Sequence, residues 1–199
     1  MKKKKFLYLM IIIMTLIFSV NIYANTLTKS ISKKVIRFHV LANSNSAEDQ
    51  ALKLKVRDNV VAYTKQILKN SSSINESRDI LSENIPTIKN IAVNTLALEN
   101  NYDSVEVLLT NSHFPDKSYG DLTFPEGNYE ALKIIIGEGK GNNWWCVMFP
   151  PLCFTDIDKC SIDNDSQKLL QENLSKSEMA LLREKTNEVK IKFKISELI

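Results

Sequence analysis

The sequence predicts an α+β domain: a mainly antiparallel sheet of about five strands with two or three helices packed on it. Three observations lead there. Period-two alternation recurs at 35–41, 104–110 and 189–195, the spacing of half-buried strands. Between the first two lie apolar stripes at three- and four-residue spacing, each opened by a capping signal, the spacing of helices. The order is strand, helices, three strands, then helix and strand, and this segregation favours antiparallel pairing over an alternating α/β fold. With 199 residues, 44% of them apolar and 25% charged, one domain with a proper core is expected.

The N-terminus stands apart. Lys2–Lys5 lead into an apolar stretch from Phe6 to Val20, and Asn21-Ile22-Tyr23-Ala24 follows with a small residue at a plausible cleavage point. Residues 1–24 therefore read as a signal peptide or an uncleaved N-terminal anchor, since the stretch approaches the ~20 residues that span a bilayer. Either way residues 25–199 lie outside, with the lysines on the cytoplasmic side. Export machinery is the first partner implied. The +3 formal charge of the chain comes from this segment: without residues 1–24 the balance is 22 basic against 23 acidic residues. A basic nucleic-acid-binding surface is excluded on that balance.

Residues 25–34 are polar and read as a tether. Residues 35–199 then form a single exported domain. Val35–Leu41 is the first strand, with Ile36, Phe38 and Val40 on one face and Val35, Arg37, His39 and Leu41 on the other. Ala42-Asn43-Ser44-Asn45 is a turn of residues that bond their own backbone. Ser46, with Asp49 three places on, caps a helix whose inner stripe is Leu52, Val56, Val60, Tyr63 and Ile67; Lys53, Lys55 and Arg57 lie off it. Ser73 and Glu76 open a second helix to about Glu83. Pro86 suits a first helical turn and places a bend at Asn84-Ile85. The third helix runs to about Leu98 on an inner stripe of Ile88, Ile91, Thr95 and Leu98.

Ser104–Thr110 is a half-buried strand and 111–126 a long connection. Asn128–Ile136 and Trp144–Phe149 are strands joined by a glycine turn at 137–143 and closed by Pro150-Pro151. Residues 155–187 are polar, with a helix expected around 175–185 that turns Met179, Leu182 and Thr186 inward. Val189, Ile191, Phe193 and Ile195 alternate with lysines as a final strand.

Chemistry concentrates in Gly137–Phe154, which holds three of the five glycines, both tryptophans and two of the three cysteines. Outside a membrane, cysteines tend to be paired. Cys146 and Cys153 flank the Phe149-Pro150 bond, so a chain reversal there opens a disulfide to them; two buried thiols are the alternative. Cys160 is the odd one and reads as free. Zinc held by Cys146, Cys153, Cys160, His39 and His113 lacks the close-paired spacing of a structural site. Asp156, Asp158, Asp163 and Asp165 lack the glycine and final Glu of a calcium loop. No nucleophile elbow occurs, and Gly137-x-Gly139-x-Gly141 precedes a strand, not the helix a phosphate loop needs. No cofactor is implied. Trp144 and Trp145 are neighbours in a strand and point to opposite faces, so one of them faces away from a single core. It either anchors a partner or packs beneath 111–126.

Two blocks carry a resemblance. His39 through Ser46, continuing by Glu48-Asp49-Gln50 to Val56-Arg57-Asp58, is one; Gly137 through Phe154 is the other. Together they resemble the stage II sporulation protein R family of endospore-forming bacteria. The resemblance covers residues 35 to about 154 well and the final strand moderately. It implies a non-enzymatic protein, exported from the forespore into the space between the two membranes. There it signals to a membrane-embedded aspartic protease of the mother cell, stage II sporulation protein GA, which processes pro-sigma-E. Trp144 and Trp145 are the candidate partner-binding residues, and Cys146 and Cys153 the candidate disulfide. A different class remains beside it: an exported hydrolase of cell wall or peptides, using Asp or Glu residues with His39. A lipid-facing peripheral protein is disfavoured by the lack of a basic amphipathic helix.

Overall fold

A computed structural model of the chain describes residues 2–154 and 164–183. The elements are α1 (Lys2–Ser32), β1 (Ile36–Leu41), α2 (Ala47–Ile67), α3 (Ile74–Glu83), α4 (Ile85–Leu98), β2 (Val105–Phe114), β3 (Lys117–Tyr119), β4 (Leu122–Phe124), β5 (Gly127–Ile136), β6 (Asn143–Phe149), a 3-10 turn (Leu152–Phe154) and α5 (Asn164–Asn173). A last helix, α6, covers 176–183. The fold is α+β, as expected, but among the described residues the main sheet is mixed and has four strands where about five antiparallel ones are expected, and there are six helices where two or three are expected. The sheet order is β2-β5-β1-β6, and β1 runs parallel to β5 while β2–β5 and β1–β6 are antiparallel. β3 and β4 form a separate small hairpin inside what the sequence presents as a long connection. The expected final strand at 189–195 lies outside the described residues.

The correction has a physical cause. β5 and β6 are consecutive in sequence and joined by a glycine-rich segment, the pattern of a hairpin. Here β1 inserts between them, so the segment crosses over the end of β1 instead of turning back. As a central strand, β1 is buried on both faces. Its alternation then has two cores to serve. Ile36, Phe38 and Val40 join the cluster beneath α2–α4 with Val56, Val60, Leu81, Ile88 and Leu96. Val35 and the opposite face of β5 and β6 join a second cluster with Phe114, Phe124, Tyr129, Leu170 and Leu182.

The helices follow the sequence closely at their starts. Ser46 Oγ accepts from Asp49 N at 3.1 Å and Ser73 Oγ from Glu76 N at 3.2 Å, while Pro86 sits in the first turn of α4. Each cap satisfies a donor that the helix leaves open. Two stripes need revision. Lys53 is buried although it lies off the apolar row of α2, and Leu98 is 83% exposed, its expected place in the core being taken by Ala92 and Leu96. Met179 and Leu182 of α6 are buried as expected, and Ser175 and Glu178 form a reciprocal cap at its start.

α1 departs from the expected layout at the tether. It is long and apolar enough to cross a membrane, and no part of its apolar window is buried in the protein. It continues as helix to Ser32, through the residues expected to be a tether. Its last turn docks on the domain: Ile31 is fully buried, and Lys34, just beyond, pairs with the buried Glu178 at 2.7 Å.

Candidate functional site

Because β1 and β5 are parallel neighbours, the loops leaving their C-terminal ends emerge side by side. These are 42–45 and 137–142, one from each of the two sequence blocks. They interlock through backbone bonds: Gly141 N donates to Ala42 O at 2.9 Å and Lys140 N to Asn43 O at 3.1 Å. Side chains add to them. Asn43 Oδ1 accepts from Glu138 N at 3.0 Å, and Asn45 Oδ1 accepts from Asn142 N at 2.6 Å. The run of Asn and Ser keeps its self-bonded turn, Ser44 Oγ accepting from Ser46 N at 3.1 Å, and also receives the second loop.

Two glycines make the approach possible. Gly137 adopts φ 56°, where a side chain would be strained and would collide with Asn43. A Cβ on Gly141 would run into the carbonyl oxygen of Ser44. α2 locks the arrangement from the side. Gln50 Nε2 donates to Ser44 O at 2.9 Å, and Lys53 Nζ donates to Gln50 Oε1 and to Asn142 O at 2.6 and 2.9 Å. Lys53 is therefore buried for its hydrogen bonds. Burial pushes its pKa down, and Arg57 adds to that.

The tryptophans lie on opposite faces, as alternation requires, but neither points away from the protein. Both are half-buried, one on each core. Trp144 meets Phe38 edge-on at 5.7 Å and carries the Arg57 guanidinium over its ring at 5.0 Å. Trp145 packs beside His39, and Lys117 of the 111–126 segment lies 5.5 Å above it. The expectation of a single core is corrected by the second one, and Trp145 takes the packed alternative, beneath Lys117 of 111–126.

Cys146 and Cys153 come together as the chain reverses after β6, with Cα atoms 5.6 Å apart and their sulfurs in contact as in a disulfide. Cys160 and the acidic residues 156, 158 and 163 lie outside the described residues. Among the described residues, no three His, Cys, Asp or Glu side chains converge as a metal site requires. His113 is exposed and touches Glu126 at 3.2 Å.

His39, the base a hydrolase would use, is 6% exposed between Phe114 and Trp145. Burial, helped by Lys133 and Arg37, lowers its pKa to about 4, against a pull upward from Asn143. The Asn143 carboxamide lies beside the ring, yet neither ring nitrogen makes a hydrogen bond of good geometry. It is a packed imidazole that its burial holds neutral.

Beneath it sits a residue that sequence reasoning passed over. Arg37 is fully buried, surrounded by the rings of Phe114, Tyr129, Phe124 and Tyr119 at 4.5 to 5.8 Å from its guanidinium carbon. Its Nε donates to Cys146 O and its Nη2 to Tyr119 Oη, each at 3.2 Å, while Nη1 has no partner. Among the described residues no carboxylate forms an ion pair with it, and stacking on ring faces takes that role. Tyr129 beside it is raised to about 12 by its own burial, against the downward pull of the Arg37 charge.

The fold and this site define a small α+β domain held behind an apolar helix, with two interlocked polar loops at one end of its sheet. Residues 32–159 match the family model described as stage II sporulation protein R. The chain is also 37% identical over 182 residues to the stage II sporulation protein R of Bacillus subtilis (strain 168), a match covering 85% of this chain and 81% of that one. No solved structure matches it. The chain belongs to the stage II sporulation protein R family, and its role is in sporulation.

Proposed function

We propose that this chain is an exported signalling protein of sporulation. It leaves the forespore, enters the space between the two membranes, and activates a membrane-embedded aspartic protease of the mother cell, stage II sporulation protein GA. That protease then processes pro-sigma-E. Family membership carries this reading. Two structural features support it. The apolar α1 suits export or anchoring, and its last turn docks on the domain, which would hold the domain close to the membrane in an uncleaved chain. The site itself offers shape, with neutral His39 and buried Arg37 serving packing and not turnover.

A ligand of this kind activates only through a higher affinity for the active state of its receptor. The test is reconstitution. The chain is exported by one cell population, and the protease with a sigma-E reporter is carried by another or placed across a shared septum. Reporter activity that requires both export and the protease is expected. Activation only by a form kept in the cytoplasm would refute the proposal.

A further inference from the structure

The two ends of the sheet face different surroundings. α1 leaves from the end where β1 and β5 begin. Ile31 is buried there, and Thr28, about one turn earlier, lies against Gly127, the first residue of β5. Followed toward its N-terminus, the helix therefore runs away from the sheet, and none of its apolar window is buried in the domain. The opposite end is a tip of three loops. A third loop, 99–104, joins 42–45 and 137–142 there, because β2 starts beside the end of β5. Val105 pairs with Ile136, and Gly137 N donates to Ser104 O at 2.8 Å. The six residues of β1, at about 3.3 Å each, set this tip about 20 Å from the end where α1 leaves.

The third loop is held by its own backbone. α4 ends in a left-handed stop: Asn100, at φ 56°, donates from its N–H to Ala97 O at 3.0 Å, and Asn101 N donates to Leu96 O at 3.0 Å. Asn101 Oδ1 then accepts from Asp103 N at 3.0 Å. This frame carries Tyr102 and, in the last turn of α4, Leu98. Both are 83% exposed, far more than any other large apolar side chain described outside α1. Tyr102 also lines an open crevice with Ser44, Asp103, Glu138 and Lys140. Two apolar side chains held out in water add nothing to the fold. A ring on a preformed frame loses little freedom on contact, which is what an interface anchor needs.

We propose that this tip is the surface that contacts the receptor, with Tyr102 and Leu98 entering an apolar recess on the part of the receptor that faces the space between the membranes. This rests on the signalling function proposed above. Placement selects the occupant. In the uncleaved chain α1 lies in the membrane of the exporting compartment, at the far end of the sheet, so the tip is the part of the domain that points across the gap. The interlocked loops give the two anchors a stiff mount.

Binding is measured between the full chain and the full-length aspartic protease, each in its own nanodisc. L98S, Y102S and the double variant are compared with wild type, and H113A, exposed at the opposite end of the sheet, is the control. The expected result is a loss of about fivefold or more for each single variant and about twentyfold or more for the double, with H113A within about twofold of wild type. Both side chains are exposed, so the variants should melt with wild type and the loss be read at the contact. A photoreactive residue in place of Tyr102 should crosslink to the protease. If wild type binds and the double variant binds within about twofold of it, the tip is refuted while the signalling function stands. An equal loss in H113A refutes it as well. If wild type itself does not bind, both fall. Crosslinks solely to lipid, or solely between copies of this chain, would overturn the proposal.

Discussion

Replacing Gly141 with Ala tests the interlock directly. The added methyl would meet the Ser44 carbonyl oxygen, with the carbonyl carbon at 2.7 Å and Ala42 Cβ at 2.9 Å. All belong to, or sit directly on, the backbone of the opposite loop, so no side chain can swing aside. The loops must separate. Separation loses the Gly141–Ala42 bond and strains its neighbour from Lys140 to Asn43. Two such bonds at about 1 kcal/mol each, with about 1–2 kcal/mol of residual overpacking, give a cost of about 3–4 kcal/mol. For a domain of this size that is a fall in Tm of about 5–15 °C. Tryptophan fluorescence of the full chain in detergent is the assay, because Trp144 and Trp145 follow the loop immediately. Gly127→Ala is the matched control: its Cβ would meet only ordinary contacts at 3.6 and 3.9 Å. G141A melting within 2 °C of G127A, on the order of the error of such a comparison, would refute the reasoning.

Three further outcomes are expected. Alkylating the exported protein without reductant should leave Cys146 and Cys153 unlabelled, and labelling of both would exclude the bridge. Glu178 would have a raised pKa from burial alone, but bonds from Lys34, Ser30 and Ser175 hold it at about 2 against an ordinary 4.5. Its stabilisation, on the order of 3 kcal/mol, is therefore present above about pH 5 and lost as pH falls toward 2. E178Q should be less stable than wild type at pH 7, with the gap closing over that acid range in denaturant titrations; a gap independent of pH would contradict the assignment. Arg37→Lys should cost about 2–4 kcal/mol in urea unfolding, since an ammonium cannot keep the Cys146 bond and lie flat among four rings. An unchanged midpoint would show the cage to be incidental.

Local signals were legible wherever the physics is local. Ser46, Ser73 and Pro86 mark helix starts because caps and proline act within one turn, and all three stand where the chain pattern puts them. The alternation of β1 also read correctly, residue by residue. What stayed hidden was pairing. Nothing in Gly137–Asn143 distinguishes a two-strand turn from a crossover, since glycine serves both by allowing tight backbone approach. From that one ambiguity follow the supposed single core and the unnoticed roles of Lys53 and Arg37. A buried Lys is legible only once its acceptor, Asn142 O, is known to lie across from it.

The parallel β1–β5 pair then explains why the two sequence blocks are separated in the chain and joined in space. Strands that run parallel deliver their following loops to the same end of the sheet. β6 must return on the far side of β1, so the second loop has to pass over the first. That crossing demands small residues in one loop and carbonyl or carboxamide acceptors in the other, which is the composition of Gly137–Asn142 and Ala42–Asn45. The same geometry sets β1 and β6 side by side with His39 opposite Trp145.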